Sequence, residues 1–379
     1  MALVLTEEQD LLKQTAREFI QEKSPVAELR RLRDSTDPDG FDRALWREMA
    51  VLGWAGAALP EDFGGMALGL LELGQIMEEC GRTLVAHPLL ASVLLGGGCV
   101  LEGGSDPLKK DVLPALASGE RLLALALQEG PHHDPFQVAT RAERSGGGYT
   151  LRGEKTFVLD GHVADQLVVA ARSSGEPGQR EGITLFLVDA KAPSLTVQRT
   201  VMIDGRNAAK ITLDGVEVEA SRVVGEPDRG ADVLEPVLDR ATACLCAEML
   251  GTISEAYDRT LEYLKTREQF GVVIGSFQAL KHRAAEMFVE IELTRSIVLD
   301  ALSACDEGRQ DASLVVSAAK ARCNDTIFLV GDEGVQMHGG IGVTDEEEIG
   351  LFLKRARVTQ HTLGTSAYHR DRFASLEGF

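Results

Sequence analysis

Two polar turns carry the residues best suited to bind a ligand. The first reads REQFGVVIGSFQ over residues 267–278, with a cation at its start, an amide at its end and two glycines. The second reads QMHGGIG over residues 336–342. Glycine lets a backbone approach a ligand closely, and a guanidinium forms bidentate contacts with phosphate or carboxylate. We therefore interpret the two turns as a site for an anionic or polar ligand.

Each turn also has a purely structural explanation. Arg267 follows a helix-forming run, and the helix dipole favours a cation at that end. The 336–342 turn could simply cap a helix, and we expect His338 to pack or cap rather than to catalyse. The two turns alone do not establish a binding site, and the interpretation depends on further motifs along the chain.

Helix-forming runs surround the first turn, from about 239–266 before it and 279–305 after it. The N-terminal part is also helical in pattern, and Thr6 followed by two glutamates and Gln9 resembles a helix cap. Further helices are predicted near 42–52, 67–80, 89–101 and 107–116.

The pattern changes at Arg121, where short runs rich in β-branched residues alternate with Gly, Pro, Asp and Ser clusters. This spacing predicts an antiparallel sandwich or barrel. The segment 122–127 is a short apolar run, and the predicted strands are 149–151, 156–159, 166–171, 183–188, 195–199 and 209–218. The fold class is thus α+β, mainly α, with a helical domain at 1–120, a β domain at 121–228 and a helical domain at 229–379.

The charge composition argues against some classes of binding partner. The chain of 379 residues has 39 Lys and Arg against 59 Asp and Glu, a formal charge of -20. Such a balance argues against nucleic acid or an anionic membrane as the main partner. Six cysteines without framework spacing indicate reduced thiols. With no signal-peptide pattern and no long apolar run, a cytoplasmic location is expected.

Several motifs occur in order along the whole chain. They are LPEDFGG at 59–65, GEKTFVLDG at 153–161, YLKTREQFG at 263–271 and QMHGGIG at 336–342. On these motifs the chain resembles the acyl-CoA dehydrogenases. Within this family, the residues at 96–98, 185–190 and 353–356 make the chain similar to small subunits of the pimeloyl-CoA dehydrogenase type. The same residues make it similar to heteromeric steroid side-chain acyl-CoA dehydrogenases.

The resemblance implies a fold with an N-terminal helical domain, a middle β-barrel or sandwich and a C-terminal four-helix bundle. It also implies FAD as cofactor, an acyl-CoA substrate and removal of an α proton and a β hydride. In this family the middle domain of one subunit holds the flavin ring, and the neighbour's C-terminal domain holds the ADP part. An oligomer, a dimer of dimers, is expected, with an electron-transfer flavoprotein as electron acceptor.

The resemblance assigns the ADP half of the cofactor to the two polar turns. Arg267 would meet the pyrophosphate, Gln278 the phosphate and adenine side, and Gln336 the same tail. The remaining predicted contacts are Gln269, Phe270, Ile274, Phe277, Gly339 and Gly340.

The flavin-ring half departs from the family pattern. Relatives carry a Thr-Glu-Pro run followed by Gly-Ser-Asp where this chain reads LQEGPHHD over residues 127–134. Gln128 and Leu159 stand at the ring positions, and the Leu159 side chain has no hydrogen-bond donor. The neighbouring HHD run at 132–134 lacks a third ligand placed by spacing, so no metal site is predicted.

The catalytic base is also missing from its usual places. The resemblance puts a glutamate where this chain has Leu363, and the other known location reads Arg-Ala-Thr at 240–242. Glu248 is the nearest carboxylate, about 10 Å further along the helix. A structural or interface ion pair is the competing explanation for Glu248.

We therefore hypothesise that this chain is the non-basic subunit of a heteromeric dehydrogenase, with a homologous partner subunit in a heterotetramer. One alternative is a homo-oligomeric dehydrogenase that uses Glu248 as a relocated base. Another is a flavin-free scaffold subunit. Three kinds of acyl group are compatible with the resemblance: a dicarboxylic acid, a steroid side chain or another bulky acid.

Overall fold

The computed structural model describes residues 4–379, which form two compact units. The first comprises residues up to 31, 70–85 and 242–379, and the second comprises 32–69 and 86–241. The α-helices are α1 (Glu7–Lys23), α2 (Val26–Asp34), α3 (Arg43–Val51), α4 (Leu70–Arg82), α5 (Gly98–Gly103), α6 (Asp106–Ala117), α7 (Ala231–Thr266), α8 (Gln278–Asp306), α9 (Ala312–His338), α10 (Ile349–His361) and α11 (Ser366–Glu377).

The strands are concentrated between residues 123 and 224. They are β1 (Leu123–Ala126), β2 (Arg141–Ser145), β3 (Gly148–Leu159), β4 (Gln166–Arg172), β5 (Ile183–Asp189), β6 (Leu195–Val201), β7 (Asn207–Glu219) and β8 (Val223–Val224), followed by the two-residue strands β9 (Glu268–Gln269) and β10 (Val272–Val273). The predicted α+β class is confirmed, and along the chain helical parts come before and after the β part. The three domain boundaries remain a prediction.

The helix cap predicted at Thr6 is present. The Thr6 hydroxyl accepts from the backbone N–H of Gln9, and the Gln9 side chain accepts from the backbone N–H of Thr6. Two other predictions need correction. The sequence pattern does not predict helix α2, and the run predicted as one helix at 89–101 is a π-helix at Leu89–Gly97 continued by α5.

Strands β1 to β8 form one sheet in the order β6-β7-β3-β2-β4-β5-β8, with β1 also paired to β4. The pairing is mostly antiparallel, but β1 runs parallel to β4, which corrects the expectation of a fully antiparallel sheet. The two predicted segments 149–151 and 156–159 are one long strand, β3. Tyr149 of β3 packs on Phe186 of β5, which is not a hydrogen-bonded neighbour of β3, with ring centroids 4.9 Å apart. The sheet therefore curves around a single apolar core.

A β-bulge interrupts β3 where it pairs with β7. Lys155 faces Ile211 and Val158 faces Ala209, so two residues of β3 oppose one of β7. The second bulged residue, Phe157, has a φ of 52°. At the bulge the backbone N–H of Thr156 turns towards the segment after β1 and donates to the carbonyl of Gln128 at 2.7 Å.

A buried ion pair joins the same two segments. The Lys155 ammonium lies 2.6 Å from Glu129 and also donates to the carbonyl of Leu127. Burial lowers the pKa of Lys155 to about 8, against the attraction of the carboxylate. Burial by itself would raise the pKa of Glu129, but Lys155 and the hydrogen bond donated by the backbone N–H of Thr140 outweigh it and lower that pKa. The pair is therefore charged at neutral pH.

The helical unit contains a close crossing of α4 and α7. A Cβ atom added at Gly251 would lie 1.7 Å from the carbonyl oxygen of Glu78, and one added at Gly81 would lie 2.0 Å from that of Glu248. Only glycine permits this approach. Next to the crossing, Glu248 of α7 forms a fully buried ion pair with Arg355 of α10 at 3.3 Å.

A second buried cation, Lys320 of α9, organises the end of α10. Its ammonium donates to the Asn324 side chain at 2.7 Å and to the carbonyls of Thr359 and Gly364 at 2.9 and 3.1 Å. Asn324 donates to the same carbonyl of Gly364. The loop after α10 is thus fixed through its backbone.

Two further observations concern the whole described chain. Within residues 4–379 no helix combines the length and the apolar character that crossing a membrane requires. All six cysteines are free thiols, and five of them are buried.

The Lys155–Glu129 pair predicts a specific pH dependence. Because the pKa of Glu129 is lower in the folded state, its carboxylate stabilises the fold above about pH 4.5, and this contribution is lost as the pH falls through the folded-state pKa. We expect Glu129→Gln to lower the free energy of unfolding by about 3 kcal/mol at pH 7. The difference from wild type should shrink as the pH falls below the usual glutamate pKa, as measured by denaturant titration.

Glu154→Gln is the matched control. Glu154 belongs to the same strand and pairs with Lys210 at 3.0 Å, but both side chains are about half exposed. Its loss should stay below about 1 kcal/mol. Equal losses in the two variants would contradict the importance of the buried pair.

Candidate cofactor site

The first polar turn is a tight hairpin between α7 and α8. Strands β9 and β10 pair antiparallel, and both central residues of the turn, Phe270 and Gly271, have positive φ. This combination is typical of a type I′ turn. The hairpin is closed at its base, where the N–H of Ile274 donates to the carbonyl of Arg267 at 2.8 Å. The prediction of two helices joined by a short turn is confirmed.

Arg267 is exposed and available for a ligand. Within residues 4–379 its guanidinium has no hydrogen bond or ion pair, whereas most arginines of this acidic chain are paired with carboxylates. The amide side chains of Gln269 and Gln278 are exposed as well and form no hydrogen bond among the described residues. The hairpin thus presents a cation and two amides to its surroundings.

The apolar residues of the hairpin have different environments. Ile274 is buried and anchors the turn, while Phe277 is partly exposed. Phe270 is 92 % exposed and meets only the edge of the Phe277 ring, at 6.1 Å between centroids. An aromatic side chain held outwards by a left-handed backbone conformation is available to pack on a ligand or on another chain.

The helix α8 adds a favourable field to this site. It begins at Gln278, and Phe277 before it provides no side-chain cap for the first N–H groups. The uncapped N–H groups and the helix dipole both favour an anion near this end. The position of Gln278 therefore suits a phosphate-bearing ligand.

The second polar turn lies at the end of α9. Gln336, Gly339 and Gly340 are exposed, and Gly339 has a φ of 66°. Apart from the adjacent backbone, a Cβ atom at either glycine would meet no atom of the described chain within 4 Å. The glycines therefore leave open space for a ligand to approach the backbone. Between them and Gln336, the buried His338 stacks on Tyr263 of α7, with ring centroids 4.4 Å apart.

The residues predicted for the flavin ring lie in the other unit, close to the bulge of β3. The Gln128 side chain donates to the carbonyl of Gly130 at 3.0 Å, and Leu159 is partly buried. A cavity of about 440 Å³ opens beside Gln128. Leu159 offers no side-chain donor, so only backbone groups remain for hydrogen bonding at its position. The lining of the cavity also includes Pro131, Lys155, Thr156, Phe157 and Lys210.

The two candidate positions for a base differ in environment. Leu363 is partly buried and has a φ of 57°, in the loop that Lys320 fixes. Its carbonyl accepts from the ring of His369 at 2.8 Å. Glu248 is 1 % exposed and faces Arg355, whose guanidinium also donates to the carbonyl of Leu84 at 3.2 Å. This geometry supports the ion-pair explanation for Glu248.

Sequence reasoning missed two features near these sites. The Glu129–Lys155 pair brings together residues 26 positions apart, and the only signal was the placement of Lys155 inside the quoted GEKTFVLDG motif. The stack of Tyr263 on His338 joins two helices that are distant in the chain. No local pattern in the chain could reveal either contact. Among the described residues, no cluster of three or more His, Cys, Asp or Glu is arranged to hold a metal ion.

Protein families and relatives of known name match this chain along nearly its full length. Three family models match: "Acyl-CoA dehydrogenase, N-terminal domain" over residues 6–120, "Acyl-CoA dehydrogenase, middle domain" over 128–216 and "Acyl-CoA dehydrogenase, C-terminal domain" over 228–375. The mitochondrial isovaleryl-CoA dehydrogenase of Pongo abelii is 31 % identical over 377 residues, which covers 97 % of this chain and 88 % of the relative.

Two similar solved structures are named after pairs of proteins. The ChsE4-ChsE5 complex from Mycobacterium tuberculosis has a chain with a TM-score of 0.88 and 28 % identity, and each chain is covered in full. A variant of the Tcur3481-Tcur3483 steroid ACAD has a chain with a TM-score of 0.87 and 33 % identity, and 98 % of each chain is covered. With three matching domains in order, this chain belongs to the acyl-CoA dehydrogenase family.

Proposed function

We propose that this chain takes part in the FAD-dependent α,β-dehydrogenation of an acyl-CoA thioester as one subunit of a heteromeric enzyme. Its family consists of oxidoreductases acting on CH–CH groups, with FAD as cofactor. In the proposal, the C-terminal turns of this chain bind the ADP part of an FAD whose ring and base belong to a homologous partner subunit. The observation that carries the proposal is the exposed Arg267, which has no partner in the described chain.

The ADP part fits the residues that are present. Arg267 would form charge-assisted hydrogen bonds with the pyrophosphate, and the uncapped start of α8 would support the same negative charge. Gln278 and Gln336 would donate amide N–H groups, and Gly339 and Gly340 would allow the backbone to approach. When bound, FAD supplies the acceptor for the hydride leaving the β-carbon.

The ring half and the base fit less well. Leu159 lacks a donor, and the Gln128 amide is already bonded to a neighbouring carbonyl. The loop at 362–366, where the family base is expected, contains no carboxylate. Abstraction of an α-proton requires a base within hydrogen-bond reach. A partner that supplies the base would explain why Leu363 is tolerated here.

The finer parts of the proposal rest on likeness to other proteins. Two similar structures have paired names, which supports a hetero-oligomer over a homo-oligomer, and we propose a heterotetramer. One of them is described as a steroid ACAD, which supports a steroid side-chain or similarly bulky acyl-CoA. An electron-transfer flavoprotein as acceptor and a cytoplasmic location belong to the same proposal.

Purification with and without a partner tests the proposal. The chain is expressed alone and with candidate homologous partner chains, and FAD content and turnover with a panel of acyl-CoA thioesters are compared. We expect full flavin loading and turnover only in the co-expressed complex. Stoichiometric FAD and full turnover by the isolated chain would refute the heteromeric arrangement, and a colourless complex would favour a flavin-free scaffold.

The role of Arg267 leads to a measurable effect. Arg267→Ala in the assembled enzyme should weaken FAD binding about 10- to 100-fold, because hydrogen bonds to charged groups contribute about 1.5–3 kcal/mol. The measurement is flavin release on dilution, followed by fluorescence. Lys265→Ala removes an exposed cation from the same turn of α7 and should leave FAD affinity unchanged. Equal effects of the two variants would indicate a general charge effect rather than a specific contact.

The homo-oligomeric alternative depends on Glu248 and is tested separately. If Glu248 is structural, Glu248→Gln lowers stability by about 3 kcal/mol, because it leaves Arg355 without its buried counter-charge. Arg355→Met breaks the same pair from the other side and serves as the control. We expect folded protein of both variants to retain turnover to a similar extent. Abolished turnover with normal FAD content in Glu248→Gln alone would establish Glu248 as the base.

A further inference from the structure

One face of α7 leads directly to the first polar turn. Arg259, Tyr263 and Arg267 are spaced by four residues and so follow one side of the helix and its end. The N–H of Arg267 donates to the carbonyl of Tyr263 at 2.9 Å, which continues the helical pattern to the start of the hairpin. The direction in which Arg267 leaves the helix is therefore set by the last turn of α7.

The same face of α7 holds the end of α9. The Tyr263 ring stacks on His338 at 4.4 Å with an angle of 25° between the planes. The His338 ring is fixed in turn, because its Nδ1 donates to the carbonyl of Gly334 at 2.7 Å. Since His338 lies between Gln336 and the glycines, the stack connects α7 to the middle of the second polar turn.

Two neighbouring contacts make this junction rigid. A Cβ atom at Gly334 would lie 3.2 Å from the hydroxyl of Thr260 and 3.1 Å from Ile349, so α9 approaches α7 and α10 closely here. Arg259 pairs with Glu348 at 2.5 Å, just before α10. The stacked rings therefore belong to a packed junction, although both polar turns beside it are exposed.

We propose that Tyr263 is a positioning residue for the cofactor site, which sets the distance and orientation between Arg267 and the Gln336–Gly340 turn through its stack on His338. The inference rests on the proposed function, because it assumes that both turns bind one nucleotide. Arg267 lies four residues, or about 6 Å of helix rise, beyond Tyr263. A ligand that contacts both turns needs their relative position to be fixed before it binds, because ordering the turns on binding would cost affinity.

A second aromatic pair on α7 provides a matched comparison. Tyr257 and Phe288 have ring centroids 6.4 Å apart. This pair joins α7 to α8 more than one helical turn before Tyr263 and does not involve either polar turn. Loss of the Tyr257 ring removes an aromatic contact of α7 without changing the link between the two turns.

The experiment measures FAD affinity and unfolding temperature in the native assembly of the full chain. Tyr263→Leu should weaken FAD binding about tenfold, as expected for the loss of a ring pair that orders the site. Tyr263→Phe keeps the stack and should retain affinity close to wild type. Tyr257→Leu should lower the unfolding temperature but leave FAD affinity unchanged. His338→Ala removes the stack from the other side and replaces Tyr263→Leu if that variant does not fold.

The outcomes separate the inference from the function on which it rests. Weaker FAD binding in Tyr263→Leu or His338→Ala, with rescue by Tyr263→Phe, supports the positioning role. Unchanged affinity in both, or an equal loss in Tyr257→Leu, overturns it while the proposed function stands. A wild-type assembly that binds no FAD overturns the proposed function and the inference with it.

Discussion

A buried positive charge must be surrounded by fixed oxygen atoms, and this chain meets that requirement repeatedly at its important loops. Lys155, Arg172, Lys320 and Arg355 are all fully buried. Their partners are carboxylates, an amide oxygen and above all backbone carbonyls. Each of these cations therefore holds irregular backbone in one conformation. Arg172, for example, donates to four carbonyls, those of Phe136, Val138, Gln179 and Glu181.

This constraint gives the two predicted halves of the cofactor site different characters. At the bulge of β3, Lys155 and Glu129 hold the segment around Gln128, but Leu159 has no side-chain donor and the Gln128 amide already donates to a carbonyl. At the ends of α7 and α9, the polar side chains are exposed and available, while aromatic stacking fixes the backbone below them. The backbone is held in place at both sites, and the C-terminal turns also present an exposed cation and three exposed amides.

Much of this arrangement could be predicted from the chain, because glycine spacing and apolar periodicity are local signals. The hairpin at 267–278, the turn at 336–342 and most helices and strands follow from them. The parallel pairing of β1 with β4 could not be predicted, since strand order depends on contacts between distant residues. The same holds for Glu129 with Lys155 and for Glu248 with Arg355. The missed helix α2 is short and charged, and its apolar pattern is too brief to identify.

Lys320 holds the loop after α10 through the carbonyls of Thr359 and Gly364, and none of these contacts involves the side chain at position 363. The groups that hold the loop thus belong to its backbone and not to the side chain that it displays. The chemistry of position 363 can therefore change in evolution while the contacts that hold the loop stay in place.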